Sequence, residues 1–252
     1  MTDLERREYI LRQLKVNYSV KVTDLSKQLF IGEATIRRDL KKLENGGYLR
    51  RVYGGAVRLD TVDRELPAEV RLGDNRNAKA DLCAVAAALI QDGNVVSMDS
   101  STTVLGLADH LEPFSNLTIL TQGQKLMDKL RYAPFNVYCS GGILQKTTLS
   151  YTGTFARRFF SSFCTDIAFI SCKGISMDHG LSWAYEEEAC LRQIMLENAK
   201  KRVLLCDSSK FDQIAPCKLF GFGQIDCLVT DRRPGPEWES FLRSKGVELL
   251  YP

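Results

Sequence analysis

"ATIRRDLKKLENGGYLRRVYGGAV", residues 34–57, places Arg37, Arg38, Lys41, Lys42, Arg50 and Arg51 within fifteen positions and interleaves them with apolar residues. Ile36, Leu40 and Leu43 recur at i, i+4 and i+7. That spacing buries one stripe of a helix and turns Thr35, Arg37, Arg38, Lys41 and Lys42 outward. Asn45-Gly46-Gly47 would end the helix. Tyr48–Val52 and Val57–Leu59 would then pair around Gly54-Gly55 as a two-stranded wing, with Arg50 and Arg51 placed to reach phosphates.

Two helical patterns precede this stretch. The first runs through Leu4, Tyr9, Ile10, Leu11 and Leu14, with Arg6, Arg7 and Arg12 beside it. "SVKVTDLSKQL" starts a second, in which Thr23 can cap and Leu25 and Leu29 stand four apart. Gly32 turns the chain into the third. Helix, short helix, tight turn, basic helix and wing are the layout of a winged helix-turn-helix, whose last helix enters the major groove. A solvated charged helix is what most such runs are, but three helices and a wing in order favour double-stranded DNA as partner. Thr35, Arg37 and Arg38 would face base edges or nearby phosphates, and Lys41, Lys42, Arg50 and Arg51 would hold the backbone. One short helix contacts few bases, so two or more heads, from a dimer or tetramer, would share a repeated operator.

The totals agree with this division. Residues 1–58 carry 13 Lys and Arg against 7 Asp and Glu, whereas the remainder carries 21 against 24. A basic head on a mildly acidic body suits a head that meets a polyanion. No apolar run approaches the roughly 18 residues that span a bilayer, and "MTDLERREYILRQ" has no signal-peptide core. The expectation is a cytoplasmic protein without a membrane partner. The eight cysteines contain no CxxC pair, and His110 and His179 are the only histidines. Reduced core thiols are expected, with no metal and no cofactor.

From Leu59 the texture changes. Residues 59–76 are polar, hold one Pro and lack periodicity, so they read as a linker between a head at 1–58 and a body at 77–252. The body alternates short apolar runs with helical patterns. The runs are "NVVSMD", "LTILT", "FNVYCSGG", "IAFISC", "RVLLCD", "CLVTD" and "VELLY"; helices are expected near 101–111, 123–131, 153–163, 186–200 and 234–245. The fold class is α/β, a mostly parallel sheet between two helical layers.

Ligands of such sheets bind beyond the carboxyl ends of the strands. Those ends read Asp99-Ser100-Ser101-Thr102-Thr103, Thr121-Gln122-Gly123, Ser140-Gly141-Gly142, Cys172-Lys173-Gly174 and Asp207-Ser208-Ser209-Lys210. Four hydroxyls between a strand and a helix suit a phosphate, although the same residues also serve simply to cap a helix. "CDSSKF" repeats the chemistry and supplies Lys210 as a point charge. Gly141-Gly142 would let backbone approach a ligand; a plain turn is the equal alternative. Together the three favour an anion site.

The stretch from Ala34 to Val57 resembles the N-terminal signature of the DeoR family of bacterial transcription regulators, with its "TIRRDL" helix and "GGA" wing. Gly32 stands where members commonly have a capping Ser. "DSSTT", "SGGILQKTTLSYTG", "DIAFISCKGIS…HGLS" and "LLCDSSKF" resemble successive blocks of the DeoR-type sensor domain, in order, so the likeness runs from Leu4 to Tyr251. The resemblance implies a body related to sugar-phosphate isomerases and a phosphorylated sugar as effector. By position it implies Asp99, Ser100, Ser101, Thr102, Thr103, Gly141, Gly142, Lys173, Gly174, Glu187 and Lys210 as ligand residues. Three positions depart from the family pattern, Thr121-Gln122-Gly123, Lys173 and Trp183, all at expected loop ends where they would alter which sugar is accepted. For Lys173 a solvated loop lysine is the equal alternative.

The function expected is a transcription regulator, a repressor of a carbohydrate-metabolism operon gated by a phosphorylated sugar, with no catalytic residues. The rival is a sugar-phosphate isomerase-like enzyme with a DNA-binding head. The related isomerases carry an acidic cluster where this chain reads "SCKGIS", leaving Asp99, Glu187 and Asp207 as the available carboxylates. A redox regulator would need an accessible thiolate, and only Cys172 beside Lys173 has a basic neighbour.

Overall fold

The computed structural model describes residues 2–45, 48–58 and 68–252. Its contacts divide the chain into two units, Met1–Asp74 and Asn75–Pro252.

The first unit begins with α1 (Asp3–Asn17), β1 (Ser19–Lys21), α2 (Val22–Leu29) and α3 (Glu33–Asn45), and continues with β2 (Leu49–Val52), β3 (Gly55–Arg58) and α4 (Ala68–Gly73). Thr2 opens α1 through a capping box with Glu5, which satisfies two backbone donors at that end. The apolar stripes Ile10–Leu14, Val22–Leu25 and Ile36–Leu40–Leu43 converge on one core that also takes in Leu49, Ala56 and Val70.

Three expectations are corrected here. The wing has three strands, in the order β1-β3-β2, because Val20 pairs with Ala56 and both side chains are buried. A Cβ on Gly55 would stand 2.0 Å from the Val20 carbonyl oxygen, so the approach of β1 requires glycine there. Thr23 is not a cap. Lys21 occupies that position without a side-chain bond, and Thr23 sits inside the helix, its hydroxyl donating to Asp24. Part of the expected linker is helical: Val70 of α4 joins the head core, a contact too short to show as periodicity. Residues 59–67 of that linker, Leu59 of the expected wing, and Gly46 and Gly47 lie outside the described residues.

The second unit opens with α5 (Arg76–Ala87), β4 (Val95–Met98), α6 (Thr102–Leu107), β5 (Thr118–Thr121), α7 (Gln124–Lys129) and β6 (Asn136–Cys139). The hairpin β7 (Ile143–Gln145) and β8 (Ser150–Thr152) leads to α8 (Thr154–Ser161) and β9 (Thr165–Ser171). Next come β10 (Gly174–Ser176), β11 (Gly180–Trp183), α9 (Glu186–Glu197), β12 (Ala199–Leu205) and β13 (Cys217–Phe220). β14 (Cys227–Val229), α10 (Pro236–Ser244) and β15 (Glu248–Leu250) complete the unit.

Seven strands form one sheet in the order β15-β14-β12-β9-β4-β5-β6, every neighbouring pair parallel. They correspond to the seven apolar runs of the sequence. Alternation along β9 feeds both layers: Ile167 and Phe169 pack with Leu82, Val104 and Leu126 of α5, α6 and α7. Ala168 and Ile170 pack with Phe160, Met195 and Leu242 of α8, α9 and α10. The chain lays down β4, β5 and β6 in one direction, then β9, β12, β14 and β15 in the other. The topological switch point therefore lies between β4 and β9, where the crevice of an open parallel sheet takes its ligand.

Candidate functional site

In the head, Arg37, Arg38, Lys41, Lys42, Arg50 and Arg51 are all exposed, and Thr35 is half-buried. They fall into two sets. Arg37 pairs with Glu33 at 2.7 Å, Lys42 with Asp3 at 3.0 Å and Arg51 with Glu44 at 2.8 Å. Arg38, Lys41 and Arg50 make no ion pair among the described residues. The Lys42 ammonium, with other cations nearby, holds the Asp3 carboxyl down at about 2 from its ordinary 3.8. A groove of about 590 Å³ separates α3 from the wing, with Arg37 on one wall and Arg51, Tyr53 and Gly54 on the other. Tyr53 at the wing tip is fully exposed. Asp39, inside the "RRDL" run, faces the other way. It is fully buried, accepting from Arg6 Nε at 2.7 Å and tying α3 to α1; that bond raises the Arg6 pKa above its usual value.

In the body, Asp99 stands at the carboxyl end of β4, on the switch point. It is 0% exposed. Its carboxylate accepts from Ser101 N at 2.8 Å, Ser171 N at 3.0 Å and Arg192 Nε at 2.5 Å. Arg192 also reaches Glu188 at 3.3 Å, so a buried Glu188–Arg192–Asp99 chain of charge braces the end of β4 against β9 and α9. Asp99 thus shapes the loop that follows rather than presenting a free carboxylate. In that loop Ser101 Oγ caps α6 by accepting from Val104 N, and Thr102 and Thr103 are buried.

Lys79, on α5, was not among the expected residues. It is 8% exposed, and its Nζ donates to Thr102 Oγ1 at 3.2 Å. α5 gets this close because a Cβ on Gly106 of α6 would meet Cys83 Sγ at 3.0 Å, and Cys83 itself donates to the Thr103 carbonyl. A signal was present: Lys79 shares a helical stripe with Cys83, Ala86 and Ile90, all buried. A lysine on a buried stripe is uncommon, because its charge must be met there by polar or charged groups.

The other expected residues divide. Gly142 has φ +115, and a Cβ there would stand 2.4 Å from the Thr152 carbonyl, so packing of its own hairpin explains that glycine; Gly141, at φ +60, has open space around it. Gly174 is required by contact with the Gln213 backbone. Lys173 is half-buried, its N–H donating to the Ser182 carbonyl. Lys210 is half-buried on the 3₁₀ turn Ser208–Lys210. Glu187 is exposed and paired with Arg157, while the buried glutamate of that turn is Glu188. Asp207 is buried, with Oδ1 accepting from Asn75 and Ser209. Trp183 is the last residue of β11, at a strand end as expected, but its side chain is turned into the core. It is buried in β11, 4.6 Å from the Phe220 ring, with Nε1 donating to the Ser171 carbonyl. Cys172 is buried too, as is its neighbour Cys206, whose pKa burial drives well above the usual thiol range, so neither sulfur is exposed to an oxidant. No group of potential metal ligands occurs among the described residues, and no helix there is long and apolar enough to cross a membrane.

Residues 6–62 match the DeoR-like helix-turn-helix domain, and residues 74–232 match the DeoR C terminal sensor domain. The chain is 34% identical to the HTH-type transcriptional repressor GlcR of Bacillus subtilis, over 98% of this chain and 95% of that one. It is 31% identical to the putative aga operon transcriptional repressor of Escherichia coli O157:H7, over 98% and 93%. Both relatives are named as repressors, not enzymes. Among solved structures, ribose 5-phosphate isomerase A of Methanocaldococcus jannaschii aligns with 55% of each chain at 16% identity and a TM-score of 0.41. With both of its parts matched and full-length relatives of the same kind, the chain belongs to the DeoR family of transcription regulators.

Proposed function

We propose that this regulator represses a carbohydrate-metabolism operon and leaves its operator when a phosphorylated sugar binds the body at the β4–β9 switch point. The observation that carries the reading is the loop at the carboxyl end of β4, on the switch point, where Ser101, Thr102 and Thr103 gather hydroxyls and Lys79 Nζ donates to Thr102 Oγ1. An anionic phosphoryl group is the ligand chemistry such an arrangement accommodates. Relatives named for the aga operon and as GlcR point toward carbohydrate control. Two or more copies bind together, since one recognition helix reads too little sequence alone. The sugar acts by preferring the body arrangement whose paired heads no longer match the operator spacing; equal affinity for both arrangements would release nothing.

The test is fluorescence anisotropy of DNA from upstream of the protein's own gene, titrated with protein in the presence of a panel of phosphorylated sugars. One compound should weaken binding at micromolar concentrations, and its unphosphorylated counterpart should not. Lys79→Met should leave operator affinity unchanged while raising the concentration of sugar phosphate needed by about ten- to a hundred-fold, the loss of one hydrogen bond to a charged group. Tight DNA binding indifferent to every sugar phosphate would sink the reading of the body and leave that of the head standing.

A further inference from the structure

The segment after β5 holds a side chain that the fold itself does not use. Gln122 is fully buried, and within the described residues neither its Oε1 nor its Nε2 has a hydrogen-bond partner. Its backbone is fixed: the Gln122 carbonyl accepts from Tyr151 N at 2.8 Å, Gly123 N donates to Thr121 Oγ1 at 3.0 Å, and Gly123 forms a bridge with Ser150. On the strand and turn so attached, the hydroxyls of Ser150 and Thr148 are likewise buried and unpartnered. A Cβ on Gly123 would lie 3.1 Å from Ser100 Cα, so the segment rests against the hydroxyl loop that Lys79 serves.

Buried polar atoms are nearly always paired, and a group of them left unpaired on neighbouring segments demands a cause. The chemistry of the group limits what it takes. A carboxamide offers an acceptor and a two-proton donor side by side, and each hydroxyl both gives and accepts. None of the three side chains is charged. That set complements neutral alcohols, and it carries no charge to offset that of an amine or a second phosphoryl group. We infer that Gln122, with Ser150 and Thr148, forms the subsite that reads the hydroxyl groups of the effector's sugar, and so chooses among phosphorylated sugars. The inference rests on the reading of the body as a sensor of such compounds. A site built to hydrogen-bond an alcohol rejects the analogue without it, because its own groups are then left buried and unpaired.

The experiment uses the full-length protein and the same anisotropy assay, with glucose 6-phosphate, fructose 6-phosphate, galactose 6-phosphate and ribose 5-phosphate, each compared with its monodeoxy analogues. For the sugar that acts, the wild type should need at least about tenfold more of one deoxy analogue. Gln122→Leu removes both unpaired amide atoms at similar volume. It should bring that ratio below about threefold, keep operator affinity, and melt no lower than the wild type, since it deletes polar groups the fold leaves unsatisfied. A wild-type ratio in Gln122→Leu, or a fall in its melting temperature with the ratio unchanged, overturns the inference and makes the amide structural. Should Gln122→Leu not fold, Ser150→Ala carries the test: a reduced ratio supports the subsite, an unchanged one rejects it. A wild type that answers to none of the four sugars defeats the sensor reading itself, and the subsite with it.

Discussion

The two units use charge in opposite ways. In the head the six cations of α3 and the wing are exposed, and half of them lean on an acidic neighbour of the same surface. In the body the ions beside the candidate site are sealed: Asp99, Glu188 and Arg192 each expose 4% or less. An exposed pair in water is worth about 1 kcal/mol or less, so a phosphate can displace it at little cost. A buried ion that loses its partner is left uncompensated, so a sealed network holds one geometry. On the proposed function, the head would gain an adaptable, salt-dependent grip and the body a rigid frame on which small differences between ligands could register.

The sharpest way to break this comparison is to unseal the body. Arg192→Met strips the counter-charge from Asp99 and Glu188 together. It should cost about 3–5 kcal/mol of stability, read as a lower urea midpoint at unchanged slope. Restoring neutrality with Asp99→Asn and Glu188→Gln in the same chain should recover much of the loss, because no buried charge then stands alone. A loss below about 1 kcal/mol in Arg192→Met, the range of an exposed pair, would show that water reaches the network and that the contrast with the head is false.

A smaller effect separates the two sets of head cations. Lys41 makes no ion pair among the described residues, whereas Lys42 is held by Asp3. Each phosphate contact contributes about 0.9 to the slope of log affinity against log salt. Lys41→Ala should reduce that slope by about one unit on any DNA sequence. Lys42→Ala should reduce it less, because the phosphate gains a cation only by taking it from Asp3, and Asp3→Asn should strengthen binding. Equal losses for the two lysines would mean that the Asp3 pair offers no competition.

Much of both units was legible because apolar spacing reports burial. Ile36-Leu40-Leu43 announced α3, and seven apolar runs became the seven strands of the main sheet. The hairpin β7–β8 and the β10-β11-β13 sheet were not foreseen, since strands of three or four partly polar residues carry too few alternations to show. Of the candidate site, the hydroxyl loop after β4 was legible and the buried charges packed behind it were not. Pattern reading assigns charged residues to solvent, yet Arg6 lines up with Ile10 and Leu14, Asp39 with Ile36 and Leu43, Lys79 with Cys83 and Ala86, and Arg192 with Ala189 and Met195. All four are buried. A charge on an apolar stripe marks either a buried partner or a ligand, and the partner, many residues away, is not visible along the chain.

The smallest effect tests how far the head tolerates refinement. The carbonyl of Gly32 accepts from Thr35 N at 3.0 Å and Ile36 N at 3.3 Å, which places this residue at the N-cap of α3. A Cβ there would meet nothing within 4 Å, so a serine fits, and its Oγ can accept one of the free N–H groups of the first turn. Gly32→Ser should therefore stabilise the head by a few tenths of a kcal/mol, about 1–3 °C in melting temperature for a domain of this size. Gly55→Ala is the matched control, because its Cβ would overlap the Val20 carbonyl and pull β1 from the wing. A serine that lowers the melting temperature would mean that α3 enters its first turn in a geometry the hydroxyl cannot serve. A serine that stabilises but weakens operator binding would place Gly32 against the DNA, where the chain gives up a cap so that backbone can approach a phosphate.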